Sequence, residues 1–548
     1  MNRTDHAATA EQLLVTIRPT AEVTIKAPRT RDSFLRKLRL AAKDALQRAG
    51  FEARVRVRAN RVVAEISQKE GSAASVDEAR EALARVFGVG SFSFLEATGT
   101  ADLDDIVRVG AELFAERVKG RRYAVRCKRA GRHSFSSMDV ERKLGAALNP
   151  GATVDLTNPE VTVEVEVDDR RAQFFSQRHQ GPGGLPLGTG GNALALLSGG
   201  YDSIVAAWQL MRRGVEVDFV HFRLGDNRSE EIALGVAKVL SDAWGAGSRP
   251  EAHVIDLRGA MDEMRENVTP NLWQVSLKRL MVRAADGVAD ALEERAVAAA
   301  SDPDVDPRDA NRQRARRRID ALVTGEAIGQ VSSQTLSNLR TIDEAAQRPV
   351  LRPLIGFDKL DIIGVAERIG TAVLSARAIE ECNITPVRPA TSSRAQRLTR
   401  EEAGMEGGAL QAQLERVRQG VTRLPLRSLR PGEGYLEVAP IEPDDSPFGA
   451  LQVSDVPAGA VLLDCRGEAM RRWRPDWPQV TPVPPGLVAA DGYDKGVTYV
   501  AFCPQGQRSN AVAEKLREGG VRAYSFAGGE GALKAYLNSV RAGQVEGA

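Results

Sequence analysis

A multidomain chain of α/β and α+β units, one of them built on a parallel sheet, is the fold class that the sequence predicts, and three observations carry it. The apolar run Ala193-Leu194-Ala195-Leu196-Leu197 passes directly into Ser198-Gly199-Gly200-Tyr201-Asp202-Ser203 and then into the helical Ile204-Val205-Ala206-Ala207-Trp208. A buried strand, a turn of small residues and a helix N-terminus in that order form a phosphate-binding turn, because the turn's N–H groups and the helix end close around an anion. After it, apolar strands at 217–222, 253–257 and 321–324 alternate with helical stretches. That alternation predicts a parallel sheet covered by helices, with ligands at the strand C-terminal ends. Finally, 548 residues with 43% hydrophobic and 27% charged content suffice for three or four domains, each with its own core.

The elements follow in order. From Leu13 to about Ser67 the pattern is strand (Leu14 to Ile17), a basic amphipathic helix around Phe34 to Leu38, then strands at Val55 to Val57 and Val62 to Ile66, a small α+β unit. A second unit is expected to begin with the helical stretch Asp77 to Phe87 and to run through Tyr123-Ala124-Val125-Arg126-Cys127 to Val161–Val167. The last segment alternates strictly, which predicts one buried and one wet face. Gly181-Pro182-Gly183-Gly184-Leu185-Pro186 punctuates the chain before the phosphate-binding unit. Residues 391–440 are Arg-rich and weakly periodic and read as a linker with some helix. Strands at Val461 to Asp464 and Thr498 to Phe502, with helical stretches between, predict a last small α/β domain.

Bulk properties narrow the function classes. A formal net charge of +2 does not by itself announce nucleic-acid binding, so charge has to be read locally. Four cysteines without a close CxxC pair and five scattered histidines exclude a disulfide framework and a resident metal cluster. No signal-peptide pattern or bilayer-spanning run is present, so a cytoplasmic protein without a membrane partner is expected.

No Gly-Lys-Ser/Thr follows the turn, so it is not a Walker A loop. It resembles instead the pyrophosphatase loop of enzymes that cleave ATP to AMP and pyrophosphate while adenylating an oxygen. Gly188-Thr189-Gly190-Gly191-Asn192-Ala193 matches a loose dinucleotide pattern but precedes the strand rather than following it. Cys503 opens Cys503-Pro504-Gln505-Gly506-Gln507-Arg508-Ser509 between a strand and a helix, where backbone donors and Arg508 favour a thiolate or persulfide anion. The loop resembles the active site of rhodanese-type sulfurtransferases; a buried strand-end cysteine is the plain alternative. Cys382 follows Glu380 and Glu381, which disfavour its thiolate; it suits a resolving thiol better than a sulfur carrier, and a structural or incidental role stands beside that. Cys127 and Cys465 read as packed residues. Arg121, Arg122, Arg126, Lys128, Arg129, Arg132 and His133 form a basic run suited to phosphate contacts or to a solvated strand edge. The run Arg312 to Arg318 reads as a solvated surface helix.

Together these parts resemble the tRNA 4-thiouridine synthetases, or tRNA sulfurtransferases, over nearly the whole chain. Further matching segments are Glu22 to Lys26, Val125 to Arg129 with Phe135-Ser136-Ser137, Leu322 to Ala327 with Gly329 to Gln334, and Leu351 to Ile355 with Asp358-Lys359. The resemblance implies a ferredoxin-like domain (11–72), a THUMP RNA-binding domain (73–175), an ATP pyrophosphatase domain (176–390) carrying an insertion at about 291–318, the linker (391–440) and a rhodanese-like domain (441–548). It implies ATP held with Mg²⁺ by Leu196, Leu197, Ser198, Gly199, Gly200, Tyr201, Ser203, Lys278, Gly325 and Gln334. Asp202 and Lys359 match positions required for activation; Cys503 matches the persulfide carrier and Cys382 its partner thiol.

The implied reaction adenylates the C4 oxygen of the uridine at position 8 of tRNA and replaces it with sulfur, giving 4-thiouridine. Implied partners are tRNA, a cysteine desulfurase as sulfur donor and a sulfur carrier protein for the thiazole of thiamine. Tyr201 departs from the family's usual Phe, and Cys465 stands where an apolar residue is expected. Two other readings are another ATP pyrophosphatase-type tRNA or nucleotide synthetase, and a sulfur-trafficking RNA-binding scaffold.

Overall fold

The computed structural model describes residues 13–58, 60–175, 177–225, 227–300, 318–378, 388–430, 435, 452–466, 471, 473–483, 490–503, 507–527 and 529–545. They form four five- or six-stranded sheets with their helices.

The first sheet is antiparallel throughout, in the order His179–Gln180, Val89–Phe94, Leu13–Pro19, Arg61–Gln68, Phe51–Arg58. Helix Pro28–Arg48 lays Leu35, Leu38, Ala42 and Leu46 on it at helical spacing. The domain boundary expected at residue 72 is corrected here. Helix Val76–Leu83, fixed by a Ser75/Glu78 capping box, buries Ala79 and Leu83 in this same core, and Val89–Phe94 pairs with Leu13–Pro19.

The second sheet runs Ala97–Thr100, Arg171–Phe175, Val161–Val167, Arg122–Arg129, Thr153–Val154, backed by helices Leu103–Val118 and Ser137–Leu148. The expected wet face of Val161–Val167 is corrected: Glu164 and Glu166 are buried. Both carboxylates meet arginines from outside the sheet, Arg18 Nη2 at 2.8 Å from Glu166 and Arg178 Nε at 2.8 Å from Glu164, while Arg61 pairs with Glu166 as well. Burial raises the Glu166 carboxyl, but Arg18 and Arg61 outweigh it and hold the group below its ordinary range. A carboxyl depressed on folding contributes stability above its unfolded pKa, about 4.3, and that contribution disappears as pH falls through the folded value. Glu166→Ala leaves the buried Arg18 without its main counter-charge. A loss of about 3 kcal/mol in urea unfolding at neutral pH is expected, shrinking as the pH drops through and below the glutamate range.

The third sheet positions the candidate site. Its order is Val350–Leu351, Ala321–Val323, Asn192–Leu197, Glu216–Arg223, Glu251–Asp256, Arg423–Pro425, all parallel except the last. Asn192–Leu197 is central and splits its side chains between two cores. Ala193, Ala195 and Leu197 meet helices Tyr201–Arg212, Asn227–Trp244 and Lys359–Ile369, whereas Leu194 meets Arg258–Asn267, Trp273–Ala300 and Gly408–Arg418. Two further expectations are corrected. Residues 391–429 are not a linker, because Ala395–Glu402, Gly408–Arg418 and Arg423–Pro425 complete this domain, and buried Glu402 binds Arg283 (2.7 Å) and Ser276 (2.8 Å). The insertion does not begin at 291, because Ala291 and Leu292 are buried in helix Trp273–Ala300; 301–317 lie outside the described residues.

The fourth sheet is wholly parallel: Gln452–Val453, Ala523–Phe526, Tyr499–Phe502, Val461–Asp464, Val480–Pro482. Helix Gln507–Glu518 covers one face and Gly529–Val545 the other. Among the described residues no helix is long and apolar enough to cross a membrane.

Candidate functional site

The turn after Leu197 is shaped by two requirements. Gly199 has φ +81°, a conformation that favours glycine, and Ser203 reaches back from the first helical turn so that its Oγ accepts from Ser198 N at 3.2 Å. The helix N-cap is Gly200, which supplies no side-chain cap. The N-terminal N–H groups of Tyr201–Arg212 are thus left to the end that carries positive dipole. Gly325, just past strand Ala321–Val323, lies so close that a Cβ there would stand 2.4 Å from Asp202 C and 2.5 Å from Ser203 N. Only glycine lets the two strand ends close on the turn.

Lys359 opens helix Lys359–Ile369, capped by Asp358, and its Nζ lies 2.9 Å and 2.8 Å from the two Asp202 oxygens. Nζ also lies 5.6 Å from the centre of the Tyr201 ring. Tyr201 is buried beneath the turn; desolvation, with a smaller contribution from Glu367, pushes its hydroxyl up to about 12 and keeps it neutral.

Of the residues singled out in the sequence, Leu196, Leu197, Ser198, Gly200, Asp202, Ser203, Lys278, Gly325, Gln334 and Lys359 line one cleft at the C-terminal edge of the sheet. Gly199 and Tyr201 do not line it: Tyr201 is buried, and a Cβ on Gly199 would press on the Ala233 backbone at 3.2 Å. Sequence reasoning missed His221, Phe222, Gln274 and Ser333, which also line the cleft. His221 sits at the end of the strand beside Leu197, with Nδ1 3.0 Å from the Leu197 carbonyl. Burial depresses its pKa, so the ring is neutral: Nδ1–H donates to that carbonyl and Nε2 is left as an acceptor. Position at a strand C-terminal end was the available signal, but a lone histidine in a strand reads as core.

Four buried polar atoms lining this cleft have no hydrogen-bond partner among the described residues: His221 Nε2, Gln330 Nε2, Ser333 Oγ and Gln334 Oε1. Unpaired buried polar atoms are uncommon and costly, and a cluster in one cleft marks a place for a polar ligand. Among the described residues no group of three or more His, Cys, Asp or Glu could hold a metal by itself.

Cys503 directly follows strand Tyr499–Phe502 of the fourth sheet and is buried. Its Sγ is 3.5 Å from Ser509 Oγ, which accepts from Ser525 Oγ at 2.9 Å, and its carbonyl accepts from Glu530 N at 2.9 Å. Residues 504–506, the Arg508 side chain and Cys382 lie outside the described residues. Cys127 is buried among Val125, Val165 and Phe135, and desolvation, with Glu141 adding to it, pushes its thiol up to about 11. In the basic run, Arg121, Arg126, Lys128, Arg129 and Arg132 are exposed, while Arg122 pairs with Asp155 and Glu160. Within the second run, 312–317 lie outside the described residues and exposed Arg318 pairs with Asp320 at 2.9 Å.

Comparison with known proteins adds to this geometry. The chain matches the family model described as thiamine biosynthesis protein (ThiI) over 188–302 and 308–406, the THUMP domain model over 100–176 and the ThiI ferredoxin-like domain model over 14–93. It is 34% identical to a tRNA sulfurtransferase of Desulfurococcus amylolyticus over 85% of this chain and 88% of that protein. It is 34% identical to one from Pyrobaculum aerophilum over 92% and 95%, and 36% identical to one from Marinobacter nauticus over 72% and 76%. Among solved structures, a 4-thiouridine synthetase in complex with RNA and bound ATP superposes with a TM-score of 0.60 at 27% identity, covering 76% of this chain and 99% of that one.

Proposed function

Because this chain belongs to the tRNA sulfurtransferase family, we propose that it uses ATP to replace the C4 oxygen of uridine 8 in tRNA with sulfur, giving 4-thiouridine. The observation that carries the reading is the cluster of four unpartnered buried polar atoms in a cleft whose floor is a phosphate-binding turn. A nucleotide offers that cleft both a polar base and an anionic chain.

The difficulty of the reaction is that a carbonyl oxygen leaves poorly. ATP supplies the remedy when bound: adenylation of the C4 oxygen turns it into part of an AMP leaving group. The chain's own residues do the rest. Backbone N–H groups of the turn and of the helix that starts at Tyr201 hold phosphate oxygens. Lys359 offsets charge on departing pyrophosphate, and Asp202 would hold Mg²⁺ together with the phosphates, as a single carboxylate commonly does. Lys278, Gln334 and His221 are assigned to the remainder of the nucleotide. His221→Leu is expected to raise KM for ATP about tenfold with a smaller change in kcat, since it removes one acceptor, worth about 1.4 kcal/mol, and leaves Asp202 and Lys359 in place.

In the C-terminal unit, read as rhodanese-like, Cys503 accepts sulfur as a persulfide from a cysteine desulfurase, and the terminal sulfur attacks the activated C4. Cys382 is assigned as the thiol that afterwards closes a disulfide with Cys503. The second sheet and its exposed arginines are assigned to the tRNA backbone, with the target uridine leaving its stack to reach the cleft. A sulfur carrier protein for thiamine thiazole is a second acceptor for the same persulfide, and the cytoplasm is the assigned location. Incubation of the protein with unmodified tRNA, Mg-ATP, cysteine and a desulfurase should produce thiolated uridine and tRNA-dependent pyrophosphate. An unchanged nucleoside profile with no pyrophosphate release would overturn the reading.

A further inference from the structure

We propose that Cys465 is a second resolving thiol for Cys503, able to discharge its persulfide as sulfide by closing a Cys465–Cys503 disulfide. The inference rests on the reading of Cys503 as the persulfide carrier and extends it to a residue that the resemblance leaves without a role.

The register places the two cysteines side by side. Strands Val461–Asp464 and Tyr499–Phe502 are parallel neighbours, with Leu463 opposite Ala501 and Asp464 opposite Phe502. The pairing continues one residue further, because Cys465 N donates to the Phe502 carbonyl at 2.9 Å. In a parallel ladder that bond is made by the residue opposite 503. Adjacent strands lie about 4.8 Å apart, inside the Cα range of about 4.4–6.8 Å that a disulfide tolerates.

Side chains alternate along both strands, and the two thiols fall on the same side. Cys465 and Cys503 share a core with Val461, Leu463, Tyr499 and Ala501, whereas Leu462, Val500 and Phe502 face the opposite core. Both cysteines are buried, at 1% and 3% exposure. The register and the shared core therefore put the two thiols on one face of adjacent strands, at paired positions. An apolar residue would fill the 465 position equally well, so packing alone does not call for sulfur there.

The step balances without an outside oxidant. Cys465 sulfur attacks Cys503 Sγ of the persulfide anion, the Cys503 S–S bond to the terminal sulfur breaks, and that sulfur leaves with the Cys465 proton as hydrosulfide. Two cysteine sulfurs are oxidised to a disulfide while the sulfane sulfur is reduced to sulfide. A dithiol reductant then restores both thiols.

The test uses the full chain with Cys382→Ser, loaded by desulfurase and cysteine without tRNA, then alkylated and mapped by mass spectrometry. The expected result is sulfide release together with a linked 465–503 peptide that dithiothreitol reverses. Adding Cys465→Val should leave the persulfide on Cys503, abolish the linked peptide and slow sulfide release at least tenfold. Oxidation of Cys382→Ser with diamide, which needs no persulfide, should give the same linked peptide. A persulfide equally long-lived with and without Cys465, or no linked peptide under diamide, overturns the proposal. No gain of a sulfur atom on Cys503 in any variant instead overturns the carrier reading beneath it.

Discussion

Asp202→Ala is expected to lower ATP-dependent thiolation of tRNA by about 10³-fold while leaving the persulfide on Cys503 unchanged. The loss of a single preorganised electrostatic partner at a site of developing charge typically costs about 10²–10³ in rate. Asp202 stands at the upper end because it also fixes Lys359, whose Nζ is held by both of its carboxylate oxygens. The effect is chemical rather than structural. Both partners are partly exposed, at 27% and 20%, so the ion pair itself contributes little to folding, on the order of 1 kcal/mol or less. Unfolding curves of the variant should therefore nearly overlay those of the parent, whereas tRNA-dependent pyrophosphate release should vanish into background. Wild-type pyrophosphate release by the variant would remove Asp202 from the activation step.

Cys503→Ala should abolish desulfurase-driven formation of 4-thiouridine and leave the nucleotide cleft intact. The nucleophilic sulfur has to be carried on an atom that can form and break an S–S bond, and alanine offers none. The variant keeps the local packing well, since Cys503 already lies in an apolar core with Ala501, Ala513 and Leu516. The Ser509 hydroxyl remains satisfied by Ser525 at 2.9 Å. ATP binding, followed by equilibrium dialysis, should be unchanged, which separates sulfur delivery from activation. Complete loss of ATP binding in this variant would show instead that the two units do not act as separate modules.

Local chemistry is what the sequence makes legible. A phosphate-binding turn needs its glycines, its serine and the following helix within a few residues, and Ser198 to Ser203 meets all of these in one stretch. Residues brought in from far along the chain, Lys278, Gln334 and Lys359, were reached only through likeness to a family, because no spacing rule joins position 202 to position 359. His221 was missed for the related reason that its place in the cleft depends on the neighbouring strand, whose Leu197 carbonyl its ring meets. The misread segments share one cause as well. Glu164 and Glu166 alternate as a solvated face does, yet Arg18, Arg61 and Arg178 cover them from another part of the chain. The stretch after 391 reads as a linker on its polarity, yet Glu402 turns inward to Arg279 and Arg283. Burial of paired charge leaves no apolar period to read.

Activation of the uridine around Asp202 and delivery of sulfur around Cys503 are proposed to be separate tasks. The most direct measurement quantifies pyrophosphate, Cys503 persulfide and 4-thiouridine in one reaction for the parent, Asp202→Ala and Cys503→Ala. Persulfide without pyrophosphate is expected from the first variant, tRNA-dependent pyrophosphate without 4-thiouridine from the second, and all three products from the parent. Formation of 4-thiouridine by Cys503→Ala at the parent's rate, with the desulfurase as sole sulfur source, would contradict it.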